Sequence, residues 1–278
     1  MTLEQFAKVL GVTDRMVSNW ESRGETITPR AANQEALDQL LAVSPLDVHE
    51  RFAHATGLAI ETPDDVPAID HQQMRHPADG KLMTLVPSGI YLSGADNQPR
   101  WLGAYYIDVF PTTNSDYLRF VQATGHPIPE HWENGRMPDS IRDHPVVFVT
   151  HLDAAAYARW AKKELPKADQ WEKAARGPRG AVYPWGDQAT VAKCNCRESD
   201  IGTTTPVERY HSGASPYGVY DMCGNTWEWC STATMGSRFE LKGSAFTSPF
   251  TRCAPSTFND ADEEMSDDDT SFRCVCPA

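Results

Sequence analysis

The chain has 278 residues, of which 23% are charged and 40% are hydrophobic, and these proportions are typical of a soluble globular protein. Its net charge of −13 disfavours binding to nucleic acid or anionic membranes unless basic residues form a separate patch. The sequence has neither an apolar run long enough to span a membrane nor the pattern of a secretion signal, so we expect a cytoplasmic protein. Its seven Cys should then be mostly reduced.

Residues 1–58 are predicted to form a small all-α module. Leu3, Phe6 and Leu10 recur at helical spacing, and Gly11 ends this first segment. This segment and the next resemble the helix-turn-helix of the phage-repressor-like family, with "LGV" at the turn and "VSNWESRG" in the recognition helix. The motif would be truncated, since the scaffold helix that usually precedes it is missing. An unrelated α-hairpin is the alternative.

DNA binding by this module would rely on four side chains that could face a major groove: Arg15, Ser18, Asn19 and Arg23. They could equally form a solvated helix face. Residues 1–60 carry five basic side chains against eight acidic ones, a net charge of −3, whereas a DNA-binding domain normally shows the opposite balance. We therefore expect weak DNA binding at best, and a main role in protein contact or homo-oligomerisation.

A linker is predicted over residues 59–80, where three prolines and several acids interrupt any periodicity. Residues 81–278 follow as a second domain, which should mix strands and helices. Its first segment, "LMTLVPSGIYLSG", predicts a strand pair around a turn. Beyond Gly180 regular elements become scarce, and so loop-rich a region needs staples such as metal ions, buried aromatic side chains or disulfides.

Helix starts in this domain are marked by threonines. Thr112 or Thr113 is expected to cap "TTNSDYLRFVQATG", with Gly125 as the stop. Thr150 and Asp153 predict a near-complete capping box at the start of "THLDAAAYARWAKKEL".

Several motifs of the second domain resemble the sulfatase-modifying-factor family, whose founding activity is formylglycine generation. The stretches that carry this resemblance span roughly residues 82–276 in the family's order: "YYIDVFPTTNSDYLRFVQATG", "HPVVFVTHLDAAAYARWAKKELPKADQWEKAARG", "YPWGD", "TTPVERY", "SPYGVYDMCGNTWEW", "LKGSAF" and "TSFRCV". The resemblance implies an α+β fold, a variant of the C-type-lectin-like fold with few regular elements and long ordered loops.

Calcium binding is one property that the resemblance implies. This chain reads "YDMCGNTWEW" at a position where members of the family bind a calcium ion. Such a stretch suits Ca²⁺, because this ion binds carboxylate and carbonyl oxygens. The ligands in this chain would be the carboxylates of Asp221 and Glu228 and the carbonyls of Gly224 and Thr226. The alternative is that Asp221 and Glu228 cap local backbone amides.

A second family calcium site maps onto "CNCRESDI". Its ligands would be Asn195, the Cys196 carbonyl, a group at Ser199 and the Ile201 carbonyl, and the family often has an acid where Ser199 stands. We expect this site to be the weaker one.

Zinc is a further alternative for the cysteines. Two C-x-C pairs, Cys194 with Cys196 and Cys274 with Cys276, could together supply four thiolates, although C-x2-C is the usual spacing.

Oxidase activity is not expected from this sequence. The founding enzymes hold copper(I) with two cysteines, since soft thiolates suit that ion. Here Thr247 stands at the first cysteine position and Arg252 at the second, with Cys253 next to it. A related branch of the family uses an iron-binding His triad, but His49 and His54 lie five residues apart and do not share a helix face. We therefore expect neither copper nor iron.

The sequence thus predicts a non-catalytic ligand- or protein-binding domain in a cytosolic regulatory or sensor protein. An enzyme of the same superfamily with altered chemistry is one alternative, and a DNA-binding transcriptional regulator is another. Candidate ligand-binding residues are Trp227, Ser244, Phe246, Phe250 and Phe258. Trp227 and Trp229 are also candidates for the core. Seven of the ten residues from Asp260 to Asp269 are acidic, so this C-terminal loop face suits a cationic peptide or protein, the alternative being a solvated loop.

Overall fold

The computed structural model describes residues 72–278 together with Ala7, Thr13, Arg15, Val17 and Ser18. Of the candidates for DNA contact, Arg15 and Ser18 are helical and exposed. The other two, Asn19 and Arg23, lie outside the described residues. The same is true of the helix-turn-helix as a whole, of the boundaries of the 1–58 module and of most of the linker. None of the helices in the described part of the chain combines the length and the apolarity needed to cross a bilayer.

The described residues divide into two compact units, and the smaller one contains a β-hairpin. In this hairpin β3 (Gly89–Ser93) pairs antiparallel with β4 (Gln98–Leu102). Gly180 packs against the hairpin, where an added Cβ would lie 2.6 Å from the Cβ of Leu92, so only glycine fits at that position without displacement.

The larger unit contains two four-stranded sheets, of which the first is antiparallel throughout. Its strands are β1 (Gln73–Arg75), β2 (Leu82–Val86), β5 (Tyr105–Asp108) and β10 (Val275–Pro277), in the order β1-β2-β5-β10. The prediction of one strand pair in "LMTLVPSGIYLSG" is wrong, because β2 pairs with β1 and β5 whereas β3 pairs with β4. A turn closed by the bond from Asn97 N to Gly94 O gives β3 that nearer partner.

The second sheet holds the central motif of the sequence. It consists of β6 (Trp227–Ala233), β7 (Arg238–Lys242), β8 (Asn259–Asp262) and β9 (Thr270–Ser271), in the order β8-β7-β6-β9. The β6–β9 pair is parallel and the others are antiparallel.

Three helices pack in the larger unit, and two begin where the sequence predicts. They are α1 (Asn114–Thr124), α2 (His151–Trp160) and α3 (Ala168–Arg176). Thr113 caps α1, and Thr150 with Asp153 forms a capping box on α2. Each such cap typically stabilises a helix by about 1 kcal/mol.

The core lies between α1, α2 and the second sheet. Trp229 is fully buried, and its indole N–H donates to the carbonyl of Val149 at 3.1 Å. Trp227 is 4% exposed, and Tyr157 and Phe272 pack in the same cluster. The prediction that both tryptophans belong to the core is therefore confirmed. Residues 181–226, in contrast, contain only three-residue 3-10 helices, at Val191–Lys193, Arg197–Ser199 and His211–Gly213.

Candidate functional site

The turn that precedes β6 has an unusual backbone. Asp221, Gly224 and Asn225 all have positive φ, at 54°, 79° and 68°. A Cβ on Gly224 would lie 2.3 Å from the carbonyl oxygen of Asn195, so glycine is required there. Asn225 N donates to that same oxygen at 2.7 Å. Residues 221–226 are thus pressed against the loop that contains Asn195.

The side chain of Asn225 joins three loops. Its Nδ2 donates to Asp221 Oδ2 at 2.8 Å and to the Thr205 carbonyl at 3.1 Å. Its Oδ1 accepts from Thr205 N at 2.9 Å and from Asn195 Nδ2 at 3.1 Å. Asn225 was not among the predicted site residues, although a Gly-Asn dipeptide is a turn signal.

Asp221 is buried, and its charge is only partly compensated. Burial raises the pKa of this carboxyl to about 7, and the negative charge of Glu228 adds to that effect. The hydrogen bond from Asn225 and the charge of Arg273 act in the opposite direction.

Glu228 lies at the centre of a buried hub that we define by Glu228, Arg273 and Trp171. Arg273 Nε and Nη2 donate to the two carboxylate oxygens of Glu228, each at 2.7 Å. The Trp171 indole donates to Glu228 Oε2, also at 2.7 Å. The guanidinium further donates to the carbonyls of Asp108 and Tyr220, at 3.1 and 2.7 Å. Such a bidentate pair is among the strongest hydrogen-bonded arrangements in proteins.

This hub bears on whether the predicted first calcium site fits its residues. Arg273 already holds both oxygens of Glu228, so that carboxylate is not placed to bind a cation. Asp221, in contrast, has one oxygen bonded to Asn225, and the carbonyl of Gly224 accepts from Thr226 N at 3.0 Å. Of the two carboxylates predicted as calcium ligands, the hub therefore engages both oxygens of Glu228, whereas Asp221 has one oxygen bonded to Asn225.

The predicted second calcium site forms a closed local turn. Ser199 Oγ donates to the Cys196 carbonyl at 2.7 Å and accepts from Cys196 N at 2.8 Å. Asn195 is buried and donates through Nδ2 to the Thr203 carbonyl, while Ile201 follows the turn and is partly buried. Ser199 is thus engaged in capping its own turn.

The loop from Ser244 to Cys253 contains the two positions where the copper ligands would stand. Thr247 is exposed, and its hydroxyl hydrogen-bonds to Asp269 Oδ2. The guanidinium of Arg252 lies over the Trp227 ring at 5.5 Å and donates to the Phe258 carbonyl at 3.4 Å. Trp227 N in turn donates to the Asp269 carbonyl at 2.8 Å. We call the surface formed by Thr247, Arg252, Phe258 and residues 267–269 the loop face.

The other ligand-binding candidates divide between surface and interior. Phe258 is 57% exposed, and Phe250 is partly buried and stacks on Tyr183 at 5.1 Å. Ser244 and Phe246 are buried. Of the predicted set, only Phe258 and Phe250 therefore reach the surface.

Acidic side chains give the loop face a negative charge that is incompletely paired. Asp260 is bonded to Arg238 at 2.8 Å. Asp269 has its pKa raised to about 6 by burial and by the charges of Asp267 and Asp268. Within the described residues, Asp267 Oδ1 is buried without a hydrogen-bond partner.

Three cysteines from distant parts of the sequence converge beneath this loop. The sulfurs of Cys194, Cys223 and Cys253 all lie within 4.8 Å of one another, and each residue is at most 2% exposed. Its contacts with the Cys194 and Cys223 thiols lower the pKa of the Cys253 thiol to about 4. We call these three residues the sulfur cluster.

The two C-x-C pairs lie in different places. Cys194 and Cys196 pack together with Cys223 and Cys253, whereas Cys274 lies in the main core and Cys276 Sγ contacts Met83 Sδ at 3.8 Å. This grouping was not predicted, because Cys223 and Cys253 follow no recognisable spacing in the sequence.

Comparison with known proteins gives a family and a fold. Residues 70–278 match the family described as "Sulfatase-modifying factor enzyme 1-like domain". The chain is 35% identical over 211 residues to the uncharacterized protein YfmG of Bacillus subtilis (strain 168), a match that covers 58% of this chain and 42% of that protein. It is 29% identical over 220 residues to the inactive C-alpha-formylglycine-generating enzyme 2 of Mus musculus, with 58% and 71% covered.

Among solved structures, PvdO from Pseudomonas aeruginosa superimposes with a TM-score of 0.64 at 18% identity, over 75% of this chain and 98% of that one. At this identity the likeness bears on the fold alone, and it agrees with the α+β architecture described above. The chain spans less than half the length of the first curated relatives that it matches.

Proposed function

Because this chain belongs to the sulfatase-modifying factor enzyme 1-like family, we propose that its domain keeps the family fold, does not generate formylglycine and binds a peptide or protein segment. The role would be regulatory or sensory, in the cytoplasm. One observation carries the proposal: Thr247 and Arg252 stand where the two copper-binding cysteines would be.

The side chains at these two positions cannot replace thiolates. A hydroxyl and a guanidinium offer no soft donor atom to copper(I). Both groups are also engaged, Thr247 with Asp269 and Arg252 with the Trp227 ring. The neighbouring Cys253 is fully buried and faces two other sulfurs, so it is not accessible to a peptide substrate. A relative of this chain is itself named inactive, which is consistent with loss of the activity in this family.

The chemistry of the loop face favours a cationic ligand. Asp267, Asp268 and Asp269 are consecutive, and burial together with the negative charges of Asp267 and Asp268 raises the pKa of Asp269. The exposed ring of Phe258 adds apolar surface, which a Lys or Arg side chain could cover with its methylene groups. A basic peptide segment would bring together both kinds of contact.

An aldehyde assay tests the loss of oxidase activity. The full chain is incubated with copper(I), oxygen and a sulfatase-type Cys peptide, and the peptide is analysed by mass spectrometry. We expect no formylglycine, while an active formylglycine-generating enzyme run in parallel converts the peptide. Turnover by this chain would overturn the proposal.

Peptide binding is tested separately by fluorescence anisotropy. A labelled peptide of alternating Lys and Ala is titrated with the full chain, and a Glu–Ala peptide serves as the control ligand. We expect the triple variant Asp267→Asn, Asp268→Asn, Asp269→Asn to weaken binding at least about tenfold, or about 1.4 kcal/mol. The matched variant Asp143→Asn, Asp187→Asn, Glu208→Gln removes exposed acids from other loops and should bind like wild type. Equal binding by all three proteins would argue against the loop face.

Calcium binding on the Asp221 side of the turn remains part of the proposal. Its support is a buried carboxylate of raised pKa beside a turn of positive-φ residues, where carbonyl oxygens can converge. For residues 1–58 we propose protein contact or self-association rather than DNA binding, on the strength of their acidic balance. Sedimentation of the full chain, and anisotropy with DNA at two salt concentrations, would test that role.

A further inference from the structure

We propose that Cys194, Cys223 and Cys253 form a binding site for a thiophilic metal ion, with zinc(II) as its occupant. Its three sulfur ligands are neither predicted calcium ligands nor at the positions of the family's copper ligands, although Cys196, which packs beside them, belongs to the predicted second calcium site. The proposal of a metal site does not depend on peptide binding by the loop face, because the three cysteines are buried and would not contact the peptide.

The spacing of the sulfurs suits a shared ion. Two sulfurs bound to one tetrahedral zinc lie about 3.8 Å apart, given Zn–S distances of about 2.3 Å. The three sulfurs here all lie within 4.8 Å of one another, so small rotations of the side chains bring them to that distance. Cys196, which packs in the same group, or a water molecule would complete the coordination.

The backbone holds the three cysteines in place before any ion binds. The Gly224–Asn195 contact and the bond from Asn225 N to Asn195 O fix the Cys223 turn against the Cys194 loop. Arg197 N donates to the Ser248 carbonyl at 3.0 Å, which ties that loop to the segment leading to Cys253. A site held in this way binds an ion at low conformational cost.

The surroundings of the sulfur cluster favour an ion over ordinary core packing. The fully buried members of this small apolar cluster are all cysteines, with Tyr183, Trp185, Val191 and Phe250 partly covering them. Ser244 lies near Cys253, and its buried hydroxyl has no hydrogen-bond partner among the residues described. A buried hydroxyl without a partner can donate to a sulfur ligand of a bound ion.

The location explains what the ion would do. Residues 181–226 contain no strand and no α-helix in the structure described, and two of the three cysteines belong to that region. Binding would release the thiol protons that the three ligands still carry, and the metal–thiolate bonds would join the loops to the segment before β8. Zinc(II) is preferred over copper(I), since a dication offsets more of the three thiolate charges in a buried site.

Metal analysis provides the first test. The full chain is purified under reducing conditions, incubated with zinc alone, dialysed and analysed for metals. We expect zinc in an amount equimolar to the chain, greatly reduced in Cys223→Ser and Cys253→Ser. Cys276→Ser removes a buried thiol that lies beside Met83 instead and should retain the zinc. Absence of zinc from wild type, copper in its place, or full retention by both ligand variants would each overturn the proposal.

A second test uses the wild-type chain, so it does not depend on whether the variants fold. Thiols are labelled with iodoacetamide, with zinc present or after its removal by a zinc-selective chelator, and the labelled sites are identified by mass spectrometry. Removal should increase labelling at Cys194, Cys223 and Cys253 but not at Cys274 or Cys276. Unchanged labelling, or a disulfide between two of the three revealed by a mass lower by two hydrogens, would overturn the proposal.

Discussion

The Glu228–Arg273–Trp171 hub and the sulfur cluster are two buried polar centres that neutralise their charge differently. In the hub the chain supplies both partners: Arg273 binds both oxygens of Glu228 and three backbone carbonyls besides. In the sulfur cluster, three ionisable thiols face one another, and no cationic side chain belongs to the cluster among the residues described. A fold with few regular elements can therefore be stabilised by an ion pair within the chain, as in the hub, or by a bound ion, as we propose for the sulfur cluster.

Breaking the hub should have the largest effect of any single change. Arg273→Met leaves Glu228 buried without its counter-charge, so we expect a loss of about 3–5 kcal/mol in the free energy of unfolding, measured by urea denaturation. Arg238→Met removes a partly exposed pair with Asp260 and should cost at most about 1 kcal/mol.

The double variant Glu228→Gln, Arg273→Met provides a check. It removes the stranded charge and should therefore be more stable than Arg273→Met alone. If Arg273→Met lowers the free energy of unfolding no more than Arg238→Met does, the hub does not stabilise the fold as we describe.

Separating the loops that bear the sulfur cluster should come next. Gly224→Ala places a Cβ against the Asn195 carbonyl and forces alanine into positive φ, so we expect a loss of about 3 kcal/mol or more in the free energy of unfolding. Gly236→Ala is the control, because its φ of 63° is similar and nothing lies within 4 Å of the added Cβ. It should cost only about 1–2 kcal/mol. Equal costs would indicate that the close approach of the two loops contributes nothing.

Removal of Asp221 should have an intermediate effect. Asp221→Ala leaves Asn225 Nδ2 without one acceptor and takes away the proposed calcium ligand, which together should cost about 2 kcal/mol. A calcium-selective chelator should lower the melting temperature of the wild type, and added calcium should restore it. The variant should not respond to the chelator. If the wild type does not respond either and contains no calcium, local capping is the correct interpretation.

The smallest expected effect concerns His131. Burial lowers the pKa of this ring to about 4, so the folded state stays neutral where the unfolded state is already protonated. Its contribution to stability is therefore complete above about pH 6.5 and is lost as the pH falls towards 4. Relative to His131→Gln, the wild type should lose about 1–2 kcal/mol over that range. His211→Gln changes an exposed ring and should follow the wild type. A pH-independent difference for His131→Gln would contradict the assignment.

Local signals in the sequence predicted much of this fold. The helix starts at Thr113 and Thr150 depend on hydrogen bonds within one turn, and the burial of Trp227 and Trp229 follows from the size of the side chains. The sparse regular structure beyond Gly180 is visible in composition alone. Strand pairing was not predictable in the same way, because β2 finds β5 across residues that include a separate hairpin.

The sites were less predictable because their partners are far apart in the chain. Arg273 and Glu228 are 45 residues apart, and nothing local distinguishes this arginine from a surface one. Cys223 and Cys253 likewise meet only through the folded loops. The resemblance to a family pointed to Asp221 and Glu228 as a pair, but the structure gives Glu228 an arginine instead.

The hub is paired within the chain, whereas the sulfur cluster is proposed to need a bound ion. A melting experiment on the full wild-type chain with a zinc-selective chelator tests this contrast most directly. We predict that the chelator lowers the melting temperature and that excess zinc, but not calcium, restores it, because an ion that binds only the folded state stabilises it by mass action. A melting temperature that is the same with the chelator, with excess zinc and without either would contradict the account.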